Sequence, residues 1–220
     1  MRLAERIIAA GEASGVEALA AFDSLEGVTV EFMLGRWRAM GIRTGHPLDG
    51  VLEAYGWWGK EFVSANEGYP LLFRIPGGAV QGPSEASTGA PERDAVKASR
   101  GAGATEGEAP RAAAASERFE HSGLVSLDPR FLPVRIGMTL PFRRTRAAAM
   151  AFRAMSRLIR TSESRAVLQV TKHRGVTTVA MSYLDQPVTD YFRRVDDQTV
   201  LAMMELEGDA RRYFFALTRA

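Results

Sequence analysis

The sequence predicts an α+β fold in which a mainly antiparallel sheet curls or closes into a small β-barrel. Short apolar stretches in the C-terminal part are separated by hairpin turns, of which Lys172–Gly175 and Glu207–Asp209 are the clearest. Few crossover helices separate these stretches, so neighbouring strands are expected to run antiparallel. An N-terminal helix and one basic amphipathic helix complete the predicted fold.

The N-terminal part of the chain contains several short predicted elements. Leu3–Phe22 is rich in Ala, Glu and Leu and predicts a helix that is broken or bent near Gly11–Gly15. The elements predicted after it are an extended piece at Phe32–Trp37, a helix of one to two turns within Pro47–Tyr55, and strands at Trp57–Ser64 and Leu71–Ile75.

The composition changes abruptly after the strand at Leu71–Ile75. Residues 77–122 consist largely of Gly, Ala, Ser, Pro and Glu, with almost no large apolar side chains. Such a segment buries too little surface to offset its ordering entropy. We therefore expect a disordered low-complexity insertion, with a regulatory or partner-binding loop as the less favoured alternative.

The C-terminal part predicts one helix, Arg144–Arg160, followed by strands. Four strands are predicted at Ala166–Lys172, Val176–Tyr183, Thr199–Leu206 and Arg211–Thr218, and Gln186–Val195 is expected to form a bent connection that holds a short helix or strand. The expected organisation is an N-terminal helix over 1–24, a first module over 25–76, the insertion over 77–122 and a second module over 123–220. Neither module has enough strands to close a barrel alone, so both are expected to share one core.

Composition excludes several classes of function. The chain has 220 residues, of which 46% are hydrophobic, and its 28 basic and 26 acidic residues give a formal net charge of +2. This balance does not predict nucleic-acid binding, and the absence of cysteine excludes disulfides and thiolate chemistry. We find no metal-ligand spacing, phosphate-binding loop or nucleophile elbow, and so expect no metal or cofactor. A cytoplasmic protein is expected, since no apolar run is long enough for a membrane span.

One glycine-rich segment contains the best candidates for polar chemistry. Thr44, His46 and Asp49 supply a hydroxyl, an imidazole and a carboxylate within six residues. An imidazole oriented by a carboxylate is a general-base arrangement, but Asp49 and His46 are equally suited to the start of the following helix. Lys60 follows two tryptophans, and is either a solvated strand residue or a cation that meets rings or an anionic head group.

The predicted helix Arg144–Arg160 has two faces. Its basic stripe consists of Arg146, Arg153, Arg157 and Arg160, and its opposite face of Ala148, Phe152, Met155, Leu158 and Ile159. A helix of this kind either lies on an anionic membrane surface or packs on the sheet with a solvated arginine face.

Longer motifs resemble a known family. Four segments together are similar to the GXWXG family: Gly35–Arg38, Thr44–Gly50, Gly56–Lys60 and Pro70–Phe73. Two later segments, Met181–Arg193 and Tyr213–Leu217, resemble the domain of unknown function that accompanies this family. Ala39 stands where the family name expects the second glycine. The resemblance implies a small β-rich fold, and its Gly-x-Trp element is similar to the one at the base of lipocalin-type barrels.

The predicted function is binding or carrying a hydrophobic small molecule or phospholipid in a β-rich cavity. Trp37 is a candidate for that site, although a structural plug is the favoured interpretation for it. The full set of predicted ligand-binding residues is Trp37, Thr44, His46, Trp57, Lys60, Met181, Asp190, Met203 and Phe214. The alternative is a cofactor-independent isomerase, cyclase or hydrolase that uses His46 as acid or base, with Asp49 orienting it.

Overall fold

The structure, a computed structural model, describes residues 1–74, 123–132 and 146–220. The helices are α1 (Leu3–Ala10), α2 (Gly15–Asp23), α3 (Val30–Met33), α4 (Val51–Ala54) and α5 (Arg146–Leu158). The strands are β1 (Gly35–Ile42), β2 (Trp57–Ser64), β3 (Glu67–Arg74), β4 (Leu124–Ser126), β5 (Ala166–His173), β6 (Val176–Tyr183), β7 (Val188–Arg194), β8 (Thr199–Leu206) and β9 (Arg212–Arg219).

Eight strands close into an antiparallel barrel. Their order is β2-β1-β9-β8-β7-β6-β5-β3, with β3 pairing back to β2, and the short β4 also pairs with β3, over Leu72–Arg74. Closure depends on two contacts between distant parts of the chain, β1 with β9 over six residue pairs and β3 with β5 at Gly68 and Ala166. The predicted antiparallel barrel is confirmed, and its strands come from both sides of the insertion.

Apolar side chains form two large clusters, one on each face of the barrel wall. The interior cluster of apolar residues includes Trp37, Trp57, Phe62, Met181, Phe192 and Phe215. The outer cluster packs α1 and α2 against β8 and β9, and includes Ala4, Ile7, Phe22, Leu201, Met203 and Phe214. Strand β8 is therefore apolar on both faces. It lacks the alternation of apolar and polar residues that is expected of a strand with one solvent-exposed face.

Some elements differ from the prediction, whereas the predicted break in the N-terminal helix is present. Helix α3 occupies part of the segment Phe32–Trp37, for which the sequence predicts an extended piece, and β1 then continues to Ile42. The expected bent connection contains a complete strand, β7. The predicted break in the N-terminal helix separates α1 from α2, and α2 begins with a capping box in which Ser14 accepts from the Glu17 amide at 3.1 Å. The predicted insertion over 77–122 lies outside the described residues.

Helix α5 packs on the barrel through part of its apolar face. Phe152 contacts the rings of Tyr55 and Phe73 at centroid distances of 4.6 and 5.5 Å. Leu158 is 86% exposed, however, so the predicted apolar stripe is only partly packed. The side chains of Arg146, Arg153 and Arg157 lie outside the described part of the chain and Arg160 is exposed, so contact with an anionic membrane stays a prediction. Within the described ranges, no helix combines the length and the apolar character of a membrane span.

Candidate functional site

A tryptophan plug covers the end of the barrel at which β1 begins. We define it as Trp37, Arg219 and helix α3, which also contacts β5 across the opening. The indole N–H of the fully buried Trp37 donates to the Met33 carbonyl at 2.7 Å. The Arg219 guanidinium lies 4.3 Å from the Trp37 ring centroid and donates to the carbonyls of Phe32 and Leu34 at 2.7 and 2.9 Å. These contacts support the structural interpretation of Trp37.

A buried ion pair lies inside the barrel. Lys60 and Asp190 are each 1% exposed, and Lys60 Nζ lies 2.9 Å from Asp190 Oδ2. The same ammonium also donates to the Pro70 carbonyl and the Tyr183 hydroxyl, both at 3.2 Å. The Lys60 ammonium thus has three polar contacts, two hydrogen bonds to neutral oxygens and the ion pair with Asp190.

A local irregularity of β2 turns Lys60 inward. Trp57 and Lys60 both face the interior although three positions separate them, and strict alternation would place them on opposite faces. The register with β3 shifts on both sides of Gly59. Gly59 has φ +153, and a Cβ there would lie 1.9 Å from the Trp37 carbonyl oxygen. Glycine is therefore needed for the close approach of β2 to β1 beside Lys60.

Aromatic rings surround the ammonium. Its Nζ lies 5.3, 5.4 and 5.6 Å from the ring centroids of Phe215, Tyr183 and Trp57. Burial lowers the pKa of Lys60 and raises that of Asp190, while the charge of each residue opposes the shift of the other. Burial, with a smaller contribution from Asp190, also raises the pKa of Tyr183 well above its ordinary value. The ring faces favour the cationic form of Lys60 and partly offset its desolvation.

Three buried polar atoms of this site have no hydrogen-bond partner among the described residues: both carboxylate oxygens of Asp190, which are acceptors, and Trp57 Nε1, a donor. Asp190 Oδ2 still has its ion-pair contact with Lys60, which Asp190 Oδ1 and Trp57 Nε1 lack. Unsatisfied buried polar atoms are rare in native proteins and point to an absent ligand, water or strain. The polar cluster, defined as Lys60, Asp190, Tyr183 and Trp57, is therefore the strongest candidate site.

The loop that carries His46 is held by Asp49. Asp49 Oδ2 accepts from the backbone amides of Thr44, Gly45 and His46 at 2.8, 2.8 and 2.9 Å. His46 Nδ1 accepts from the Leu48 amide at 3.2 Å, so a neutral imidazole carries its proton on Nε2. Burial lowers the pKa of His46, against an opposing influence of Asp49. Asp49 thus orders the loop backbone, in contrast to the predicted role of orienting the imidazole.

Aromatic stacking connects this loop with the polar cluster. The His46 ring lies 5.5 Å from the Tyr213 ring, which stacks on Phe215 at 5.9 Å. The Tyr213 hydroxyl donates to Glu53 Oε1 at 3.4 Å, and the Gly41 amide donates to the same oxygen at 2.8 Å. His46 and Lys60 therefore lie at the two ends of one row of rings, and do not share a hydrogen bond in the described contacts.

Two clefts open near these groups. One, of about 510 Å³, lies at the β6–β7 and β8–β9 turns, and Tyr183 is part of its wall. The other, of about 400 Å³, is bordered by Glu53 and Arg43. Tyr183 is shared between the two regions, since it borders the first cleft and its hydroxyl accepts a hydrogen bond from Lys60.

The remaining predicted ligand residues lie in different places. Met181 faces the barrel interior, whereas Met203 and Phe214 lie in the outer cluster beneath α1 and α2. Thr44 is half-buried in the His46 loop. Sequence reasoning missed Tyr183, although the period of two places it on the same face as Met181. It also missed Tyr213 and Phe215, which flank the chosen Phe214 and point inward.

The comparisons with known proteins agree with this architecture. Residues 20–78 match the family described as GXWXG protein, and residues 164–219 match a domain of unknown function, DUF4334. A solved structure described as "Crystal structure of protein from Thermomonospora curvata" is similar at 24% identity and a TM-score of 0.60, covering 100% of this chain and 99% of that one. The search of curated proteins finds no match. The likeness to the solved structure shows the fold alone. By these two sequence matches, the chain contains one region similar to the GXWXG family and a second region similar to DUF4334.

Proposed function

We propose that the barrel binds a small, mainly apolar molecule that carries one polar oxygen group. The polar cluster anchors that group, and the surrounding rings and aliphatic side chains contact the apolar part. The observation that carries this proposal is the buried Lys60–Asp190 pair, beside which Asp190 Oδ1 and the Trp57 indole N–H have no partner in the described structure. A hydroxyl or carbonyl group brings the donor or acceptor that these atoms lack.

The energetics of the pair support a ligand role over a purely structural one. Taking two opposite charges out of water costs several kcal/mol per ion in effective terms, and a pair of apolar residues often stabilises a fold equally well. Perturbed ionisable groups in an enclosed site are also typical of binding and catalytic centres. We therefore treat the pair as a recognition element that the stability of the barrel does not require.

The cleft of about 510 Å³ is the proposed entrance. Tyr183 borders it and accepts a hydrogen bond from Lys60, and the proposed route from the cleft to the polar cluster passes this side chain. His46 and Thr44 belong to the loop near Tyr213, where they are proposed to contact the outer part of a longer ligand, such as a lipid chain. Tyr183→Phe, which keeps the ring and removes the hydroxyl, is expected to weaken ligand binding without closing this route.

Native mass spectrometry of the purified protein tests the proposal, followed by organic extraction and identification of what is released. The expected result is a protein mass with an additional bound apolar molecule. The double variant K60M/D190L, in which two apolar side chains of similar size replace the pair, should lack this mass. A wild-type protein that carries no molecule and binds none from a panel of apolar alcohols, ketones and fatty acids would contradict the proposal.

An acid–base enzyme acting on such a molecule is the second candidate. One observation favours it: a carboxyl and a phenol each lie within 3.2 Å of a buried amine. Proton transfer in this candidate centres on the polar cluster, since Asp49 is bonded to backbone amides. Incubating the extracted molecule with protein in D₂O separates the two functions. An enzyme exchanges hydrogen at carbon or changes the product mass, whereas a carrier returns the molecule unchanged.

A further inference from the structure

We propose that Lys60 captures an aldehyde or ketone as a protonated imine, so that the ligand class of the barrel is apolar carbonyl compounds. This inference rests on the proposed function, because the carbonyl compound must first enter the barrel. Its structural basis is the enclosed amine with a carboxylate on one side and a phenol on the other, at 2.9 and 3.2 Å. No other described lysine has such surroundings, since Lys172 lies near the exposed end of β5.

The reaction balances without a further reactant. Lys60 first transfers one ammonium proton to Asp190, and the free amine attacks the carbonyl carbon. One proton of the attacking nitrogen passes through the Tyr183 hydroxyl to the carbonyl oxygen, which gives a neutral carbinolamine. Asp190 then returns its proton to the carbinolamine hydroxyl as the C–O bond breaks and water leaves. The sum is an ammonium and a carbonyl compound giving a protonated imine and one water molecule. Asp190 begins and ends as a carboxylate, and Tyr183 begins and ends as a phenol.

Each proton transfer has a group in place. Asp190 Oδ2 lies 2.9 Å from Nζ and takes the ammonium proton. The Tyr183 hydroxyl, 3.2 Å from Nζ, is placed to protonate the carbonyl oxygen. The carbinolamine hydroxyl is a donor, and Asp190 Oδ1 is the acceptor without a partner in the described structure. The step thus supplies the hydrogen bond that the cluster lacks.

Charge favours the same product. A protonated imine carries the +1 charge of the ammonium, so the buried carboxylate keeps its counter-ion throughout. The three rings at 5.3–5.6 Å from Nζ stabilise either cation. Burial also lowers the pKa of Lys60, which increases the fraction of free amine. An enclosed apolar site further disfavours the return of water and hence hydrolysis of the imine.

Reductive trapping tests the inference. The chain has three lysines, Lys60, Lys97 and Lys172, so the modified one is readily identified by peptide mass spectrometry. The full-length protein is incubated at neutral pH with octanal and sodium cyanoborohydride, which converts an imine into a stable secondary amine. The expected result is preferential modification of Lys60, about tenfold or more faster than Lys172, because Asp190 and Tyr183 are in place for the proton transfers of the reaction.

Two variants serve as controls. Lys60→Arg keeps the positive charge beside Asp190 but cannot form the imine, and should lose the fast modification. Lys172→Arg replaces a lysine outside the barrel interior, and this variant should still show the fast modification of Lys60. Modification of Lys172 and the N-terminus with Lys60 intact, or modification of Lys60 only in urea, would overturn the inference.

The failure of this inference is distinguishable from the failure of the proposed function. A wild-type protein that binds octanol, which has no carbonyl group, but is not trapped by octanal at Lys60 is a non-covalent binder, and only the imine is then overturned. A protein that binds neither compound loses both proposals. If octanal modifies Lys60 and added octanol slows that modification, both proposals are supported.

Discussion

The tryptophan plug and the polar cluster lie side by side, since Trp37 and Lys60 are direct partners in the β1–β2 ladder. In the plug, the indole N–H and two guanidinium nitrogens each bond a backbone carbonyl, at 2.7–2.9 Å. In the polar cluster, Asp190 Oδ1 and Trp57 Nε1 are buried with no partner in the part of the chain described. Trp37 and Lys60 are both buried, so burial does not distinguish the two regions. They differ in whether their buried polar atoms have hydrogen-bond partners.

This difference separates a structural role from a binding role. Polar atoms that are all paired stabilise one conformation and leave nothing for a ligand to bond. Atoms that are buried and unpaired lose free energy in the empty protein and recover it when a suitable group arrives. Replacing residues in the plug should therefore affect stability alone, whereas replacing the buried pair should affect stability and binding in different ways.

The largest expected effect comes from breaking the pair on one side. Lys60→Met leaves Asp190 buried without its counter-ion, and should lower the free energy of unfolding by about 3–5 kcal/mol. Because burial raises the pKa of Asp190, the folded variant binds a proton more readily than the unfolded chain. Its stability should therefore fall as pH rises from about 5 to about 8. Urea denaturation at both pH values measures this, and equal stability at the two would contradict the account.

The double variant K60M/D190L provides the matched control for this effect. It removes both charges and fills their volume with apolar side chains, so the destabilisation of the single variant should largely disappear. We expect a free energy of unfolding at least equal to that of the wild type. A double variant as unstable as Lys60→Met would show that the stability of the barrel requires the pair.

A smaller loss of stability is expected from the plug. Trp37→Phe removes the N–H that bonds the Met33 carbonyl and reduces the ring facing Arg219. The loss should be about 1–3 kcal/mol, which is typical of one unpaired buried polar group. Binding of octanol, corrected for the folded fraction, should be unchanged. Calorimetric unfolding and a binding titration check the two parts, and a specific loss of affinity would place Trp37 in the binding site.

The smallest effect concerns His46 and pH. Burial lowers its pKa in the folded state, so between that value and the unfolded value of about 6.5 the unfolded chain binds more protons. The full contribution of neutral His46 to the free energy of unfolding is present above about pH 6.5 and is lost as pH falls. The loss is up to about 1.4 kcal/mol for each unit by which its pKa is lower in the folded than in the unfolded state. His46→Asn keeps an acceptor for the Leu48 amide, and should reduce the loss measured between about pH 7.5 and about pH 5.5. Burial also lowers the pKa of His173. His173 therefore contributes to the same loss of stability at low pH, and the His46→Asn variant keeps that contribution.

The fold was predictable from the sequence where hairpin turns punctuate it. Arg174 and Gly175 both adopt positive φ, at 47 and 83, as a two-residue hairpin turn requires, and the predicted strands on either side are present. Strand β7 was predicted only as a short helix or strand within a bent connection, because Gln186 and Pro187 indicate a turn and the strand begins directly after them. The closing contact of β3 with β5 involves a single residue pair, which leaves no local signal in the sequence.

The site was only partly predictable. Lys60 and Asp190 were both chosen, but their contact joins strands 130 positions apart and depends on the bulge at Gly59, which periodicity does not show. The choice of Met203 and Phe214 failed to account for helices α1 and α2, which bury the outer faces of β8 and β9. On strands that are apolar on both faces, alternation cannot separate Phe214 from the inward-facing Phe215.

Octanol binding by K60M/D190L and W37F, compared by titration against the wild type, tests the central claim most directly. The claim is that the buried pair serves recognition and the plug serves stability. The account predicts that K60M/D190L is as stable as the wild type but does not bind, whereas W37F is less stable and binds with wild-type affinity. The opposite pattern, a double variant that binds normally and a W37F protein that folds but does not bind, would contradict it.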